Sequence, residues 1–175
     1  MRLFVAAAFE DDVVDSLVLL QEELKKGGVS GRFTARENLH MTLAFIGEYG
    51  DPDGVMDVIE EVPFAPVTVK PKGLMLLRDM YILRFEDTPG LEAYVRRLRR
   101  AFAGADIPFD RKRFAPHITI ARRVSFERER ELRVPQYTGG PVTVDSVSLF
   151  RSDRGRNGMV YTELGYRQFA PHEEV

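Results

Sequence analysis

Two stretches of the chain repeat one order of elements, and that repeat limits the folds open to it. Leu3–Phe9 is an apolar run that ends in Phe9-Glu10-Asp11, passes into a helical pattern, and is followed by an apolar run carrying His40. Tyr81–Phe85 ends in Phe85-Glu86-Asp87, passes into a helical pattern, and is followed by an apolar run carrying His117. The step from Phe9 to His40 is 31 residues, and from Phe85 to His117 it is 32. Two copies of strand–helix–strand predict an α+β chain built from two pseudo-symmetric α/β lobes.

The rest of the chain fits that frame. Val13, Leu17, Leu20 and Leu24 recur at helical spacing, with Asp11 or Asp12 to cap the start and Gly27-Gly28 to stop it. Asp51-Pro52 opens a short helix carrying Val55, Val58, Ile59 and Val62, and Pro63 closes it. Pro89 opens a third, with Leu91, Val95, Leu98 and Phe102 on one face. Strands are expected at Leu39–Ile46, Val67–Val69, Leu74–Leu77, Tyr81–Phe85, Ile118–Ala121, Val142–Phe150 and Met159–Tyr166. The polar segment Ser152–Gly158 is expected to be the loop of a hairpin joining the last two. No linker composition divides the chain.

Only three His are present, and two lie in one pattern: His40-Met41-Thr42-Leu43 and His117-Ile118-Thr119-Ile120. Side chains alternate faces along a strand. Each segment therefore presses two apolar residues on a core and offers an imidazole and a hydroxyl on the opposite face. Imidazole titrates near neutrality, so one His can take a proton while the other gives one. A Thr hydroxyl can donate to a phosphate oxygen. Two such pairs meeting from two lobes could hold a phosphate and pass protons on either side of it. A zinc site fits poorly, because two His lack an evident third ligand. The chain has no Cys, which excludes disulfides, cysteine metal sites and thiol nucleophiles and fits a reducing cytosol.

The net charge of −2 hides a division along the chain. Residues 1–95 carry net −8, residues 96–130 net +7, and residues 131–175 net −1. The basic block reads either as the footprint of an anionic partner or as a solvated helix face. Twenty of the 25 basic residues are Arg, the side chain suited to bidentate phosphate contacts. Leu3–Phe9 is too short to span a membrane and lacks the cleavage site of a signal peptide. A cytoplasmic, monomeric enzyme without a membrane segment is the expectation.

The twin His-x-Thr motifs, the continuation His117-Ile-Thr-Ile-Ala-Arg122 and the late Leu149–Tyr161 segment resemble the two-histidine (2H) phosphoesterases. Among these the chain is most similar to the RNA 2′,3′-cyclic phosphodiesterases, historically called 2′-5′ RNA ligases. The resemblance implies a single domain over residues 1–175, made of two intertwined lobes whose antiparallel sheets face a central cleft. It implies hydrolysis of a 2′,3′-cyclic phosphate on RNA or a nucleotide to a 2′-phosphate, with no metal or cofactor. His117 would be the general base on water and His40 the general acid to the leaving 3′-oxygen. Thr42 and Thr119 would hold the non-bridging oxygens. From the residues alone the two matching motifs do not reveal which His takes which role. ATP-independent 2′-5′ ligation by the same residues, and a non-catalytic RNA-binding module, stay open as alternatives.

Arg122 sits five residues after His117, an odd offset. A regular strand points it away from the cleft, and it can serve there only if the strand bends, bulges or ends first. Arg111-Lys112-Arg113 would bind backbone phosphates or lie on a solvated loop. Phe9 and Phe114 would stack on a base or belong to the core. Ser152 and Arg154 are candidates for the cleft rim. His172 has no Thr partner and reads as a tail residue.

Overall fold

The computed structural model describes residues 1–126 and 134–169. His172 lies outside them. Ten strands and three helices occur in the described residues: β1 (Arg2–Ala7), α1 (Asp11–Lys26), β2 (Val29–Phe33), β3 (Met41–Glu48), α2 (Pro52–Glu61), β4 (Val67–Val69), β5 (Pro71–Leu77), β6 (Met80–Phe85), α3 (Pro89–Gly104), β7 (His117–Phe126), β8 (Val142–Val144), β9 (Ser146–Gly155) and β10 (Gly158–Gln168). A 3₁₀ turn, Arg36–Asn38, precedes β3. The strands form two four-stranded antiparallel sheets, β10-β9-β1-β3 and β2-β7-β6-β5, and a small β4-β8 ribbon.

The repeat in sequence is a repeat in space. β1 and β3 are antiparallel neighbours separated in the chain by α1, and β6 and β7 are antiparallel neighbours separated by α3. α1 and α3 each leave their own sheet. α1 follows β1 of the first sheet but packs on β2 and β7 of the second, and α3 follows β6 of the second but packs on β3 of the first. The lobes are thus interleaved. Val14, Leu17, Leu20 and Leu24 form the buried stripe of α1, each worth about 1.5–3 kcal/mol when fully buried. Gln21, buried on the same helix, donates to the Thr34 and Ile120 carbonyls and fixes α1 to the second sheet. Arg167 of β10 donates to the Ile59 and Val62 carbonyls, satisfying acceptors that the end of α2 leaves unpaired.

Three expectations change. The cap of α1 falls on Glu10, without a side-chain bond, while Asp11 and Asp12 occupy the first turn. Ser152–Gly158 is not a loop. β9 runs to Gly155, β10 starts at Gly158, and a tight turn at Arg156-Asn157 joins them. β2 is a strand that the apolar pattern missed, since Val-Ser-Gly-Arg-Phe has no clean alternation. Its reason is a neighbour: it pairs along β7, and a Cβ on Gly31 would lie 2.8 Å from the Arg122 carbonyl oxygen. Only glycine lets the two backbones approach so closely.

Candidate active site

The front faces of the two sheets meet in a cavity of about 360 Å³. His40, Thr42, His117, Thr119 and Arg122 all line it, joined by Ser152 and Arg154 from the β9–β10 hairpin and by Arg2, Phe4, Phe45 and Tyr161. Behind the motifs, Met41, Leu43, Ile118 and Ile120 are buried in the core. The period-two argument therefore holds at both histidines.

The period then breaks at the same place in both strands. In β3, Thr42 pairs with Ala6 while Ala44 pairs with Val5, so Leu43 is an extra residue. In β7, Thr119 pairs with Ile82 while Ala121 pairs with Tyr81, so Ile120 is the extra residue. Each bulge buries two consecutive side chains, Leu43-Ala44 and Ile120-Ala121, and returns the next one to the cleft. The next one is Phe45 in β3 and Arg122 in β7. The bulge is what brings Arg122 onto the face of His117 despite its odd offset. The aligned frames His40-Met-Thr-Leu-Ala-Phe45 and His117-Ile-Thr-Ile-Ala-Arg122 carry this signal, through the shared Ala that follows the extra residue.

The two imidazoles are held alike and sit differently. His40 Nδ1 lies 2.6 Å from the Asn38 carbonyl and His117 Nδ1 lies 2.8 Å from the Ala115 carbonyl. A carbonyl only accepts, so both Nδ1 atoms carry hydrogen and both Nε2 atoms are left for chemistry. His40 Nε2 is 2.9 Å from the Thr42 hydroxyl. His40 is half-buried, 5.0 Å from the Phe4 ring and edge-on to Tyr161 at 5.3 Å. His117 is exposed. Burial pulls His40 below its ordinary value of 6.5; the Asn38 carbonyl opposes this, and the positive fields of Arg122 and His117 add to the lowering. Those fields tie the lobes together electrostatically.

Arg122 donates to the Met80 thioether at 3.1 Å, a weak acceptor that leaves most of its donors open. Arg2 stacks over the Phe45 ring at 5.1 Å, so the first lobe brings a cation to the cleft from β1. Among the described residues no cluster of three His, Asp or Glu is placed to hold a metal ion, and no helix is long and apolar enough to cross a membrane.

The described part of the basic block, residues 96–126, does not serve the cleft as a unit. Arg97 of α3 donates to the Pro63 carbonyl beyond α2, and no residue between 96 and 113 lines the cavity. Arg111 lies over the Phe109 ring instead. Among the described residues the cleft draws its cations from separate strands, Arg2, Arg122 and Arg154. Phe9 and Phe114 pack against the hydrophobic core and do not line the cavity.

A profile of the 2′-5′ RNA ligase superfamily matches residues 13–156. The chain belongs to this superfamily. A Thermotoga maritima relative named RNA 2′,3′-cyclic phosphodiesterase is 28% identical, over 97% of this chain and 96% of its own length. A Methanocaldococcus jannaschii relative of the same name is 25% identical over 92% and 96%. Among solved folds, a Thermus thermophilus protein superposes with a TM-score of 0.78 at 25% identity, covering 98% of this chain and 100% of its own. E. coli LigT, crystallised with 3′-AMP, superposes with a TM-score of 0.77 at 22% identity over 96% of both chains, a likeness of fold. The superfamily membership and the α+β architecture agree with the expectation from the twin motifs.

Proposed function

We propose that this chain hydrolyses 2′,3′-cyclic phosphates at RNA ends or on nucleotides, giving a 2′-phosphate and a free 3′-hydroxyl. The observation that carries the reading is the convergence of two Nε2-presenting imidazoles, two Thr hydroxyls and Arg122 on one cavity. The named activity of the relatives supports it.

His117 acts as general base. Its exposure supports this, because a base that activates water must be reached by water. Its Nε2 takes a proton from water as the water oxygen attacks phosphorus in line with the P–O3′ bond. That bond breaks, and His40 Nε2 delivers a proton to the leaving 3′-oxygen. His117 ends protonated and His40 neutral, and exchange with solvent resets the pair. Thr42 and Thr119 donate to the non-bridging oxygens, and Arg122 offsets the charge that develops there. Binding an anionic phosphate also opposes the field of Arg122 at His40, which favours the imidazolium the acid role requires. Ligation by reversal would use the same residues with a 5′-hydroxyl in place of water, and the openness of His117 to solvent favours hydrolysis.

The test is an oligonucleotide ending in a 2′,3′-cyclic phosphate, incubated with the enzyme in chelator and resolved against 2′- and 3′-phosphate standards. A 2′-phosphate product is expected. Loss of all turnover in chelator, or a 3′-phosphate product, would refute the reading.

A further inference from the structure

The carbonyl that holds each imidazole belongs to the residue two before it, Asn38 for His40 and Ala115 for His117. The two carbonyls are kept in place by different means. Ala115 precedes Pro116, whose ring restricts the residue before it to extended backbone. Pro116 is itself buried and accepts from the Phe85 amide of β6 at 3.0 Å. The Ala115 carbonyl is therefore fixed by its own stretch of chain. Asn38 ends a single 3₁₀ turn and is followed by Leu39, so no proline restricts it. Its side chain supplies the hold instead: Asn38 Nδ2 donates to the Met159 carbonyl of β10 at 2.9 Å, a contact between residues 121 apart in the chain. We propose that Asn38 is a positioning residue for His40, and that through it the β9–β10 hairpin sets the tautomer and direction of that imidazole.

The kinetic consequence rests on the cyclic phosphodiesterase reading of the cleft and deepens it; the link from Asn38 to His40 does not depend on that reading. Asn38 closes a short segment stretched between the lobes. At its start Thr34 Oγ1 donates to the Thr119 carbonyl of β7 at 2.8 Å, and in its middle Arg36 pairs with Asp15 of α1 at 2.6 Å. Its last residue touches His40 and the hairpin at once. Met159 and Tyr161 lie two apart on β10 and both line the cavity, so the bond to the Met159 carbonyl also fixes the strand that carries the Tyr161 ring against His40. With the Nδ1 hydrogen committed to the Asn38 carbonyl, Nε2 is the atom turned to Thr42. An Asn38 freed from β10 lets the turn rotate, and its carbonyl then no longer holds Nδ1. The imidazole stays but loses its direction, and a general acid must be within hydrogen-bond reach of the leaving oxygen.

The first measurement needs no substrate. A long-range proton–nitrogen correlation spectrum at about pH 8, where the rings are neutral, reads the tautomer of each imidazole in the free protein. The unaltered chain should show hydrogen on Nδ1 at both His40 and His117. Asn38→Ala should move His40 toward hydrogen on Nε2 and leave His117 unchanged, which also reports that the fold is intact. A His40 still held on Nδ1 in the variant, or both rings moving together, would overturn the proposal.

Kinetics with an oligonucleotide ending in a 2′,3′-cyclic phosphate then separate positioning from substrate contact, since Asn38 also lines the cavity. Asn38→Ala should lower kcat by about 10- to 100-fold and change KM by less than about twofold. With sulfur at the bridging 3′ position, a leaving group that needs no proton, most of that defect should disappear. In the His40→Ala background Asn38→Ala should cost nothing more. A raised KM with kcat kept, or a defect that persists with the sulfur leaving group or in the His40→Ala background, would overturn the proposal. Absence of all turnover in the unaltered enzyme, alongside the expected change of tautomer, would refute the cleft chemistry and leave the link between Asn38 and His40 standing.

Discussion

β3 and β7 are two renderings of one strand. His40 stands immediately before β3 and His117 opens β7, both strands insert an extra residue after the Thr, and both return the side chain after the next Ala to the cleft. They differ in what they return and in how dry they keep their imidazole. β3 returns Phe45, under Arg2, and its His40 is half-buried against Phe4 of β1 and Tyr161 of β10; β7 returns Arg122 and leaves His117 exposed. A symmetric backbone thus carries an asymmetric site. Asymmetry is what acid–base catalysis across a phosphate requires, since one imidazole must face water and the other the leaving group.

The sharpest way to break this comparison is to remove each imidazole in turn. His40→Ala and His117→Ala should each lower kcat by about 100- to 10,000-fold, with the double variant little worse than either single one. A substrate carrying sulfur at the bridging 3′ position leaves without needing a proton. It should restore much of the activity of His40→Ala and none of that of His117→Ala. The opposite pattern would exchange the two roles.

Arg122 ties the halves together, and removing it tests that tie. Arg122→Gln should lower kcat/KM by about 10- to 100-fold, in keeping with losing the proposed charged contact to the phosphate. It also removes one of the positive fields that lower His40. His40 should then move up toward its ordinary value, and a flank of the bell-shaped kcat/KM profile should move to higher pH with it. The flanks belong to the coupled pair, so the observable is the displacement of the whole profile. An unmoved profile would mean that the two lobes do not sense one another.

The paired Thr residues give a smaller and unequal effect. Thr42→Val removes both the proposed donor to phosphate and the hydroxyl 2.9 Å from His40 Nε2, whereas the Thr119 hydroxyl makes no bond to a described residue. Each should cost about 10-fold in kcat/KM, near the worth of one hydrogen bond to a charged group. Only Thr42→Val should also displace the pH profile. Gly31→Ala reaches β7 from behind. A methyl group 2.8 Å from the Arg122 carbonyl must push the strand, so about 1–3 kcal/mol of stability and a few-fold of kcat/KM should be lost together, with β3 and the first lobe unaffected.

The twin motifs were legible because they rest on short-range chemistry: a strand's period and two residue types in register. The same holds for the helices, whose apolar stripes and Pro or Gly boundaries are local. What escaped was set by partners distant in the chain. β2 is a strand because β7 needs an edge, and Gly31 is explained by a carbonyl on a strand much later in the sequence. The interleaving of α1 and α3 leaves no mark on their own periodicity. The basic block misled for a related reason. Charge that is contiguous in sequence is spread around a helix and a loop, while the cleft gathers arginines from β1, β7 and β9 that no window of sequence brings together. The bulges lie between these cases. Their trace is the Ala shared by the two six-residue frames, visible only when the frames are aligned with each other.

The smallest expected effect concerns stability rather than rate, and it isolates the buried imidazole. His40 is held below its ordinary value of 6.5 chiefly by burial. Above that value both folded and unfolded chains leave it neutral, and it contributes no pH dependence. As pH falls through 6.5 the unfolded chain takes up a proton at His40 that the folded chain does not, so the folded state loses stability. The loss continues until pH reaches the lowered value in the folded state and is constant below it. Replacing His40 with Gln removes the titrating group, so the difference in thermal midpoint between His40→Gln and the unaltered chain should be flat above about pH 7 and should shift in favour of the variant on the acid side. Saturating inorganic phosphate should reduce that shift, because an anion in the cleft opposes the Arg122 field and lets the folded chain accept the proton. A difference that grows on the alkaline side would mean that His40 is stabilised as the imidazolium in the free cleft, and the dry lobe would then be the wrong description of β3.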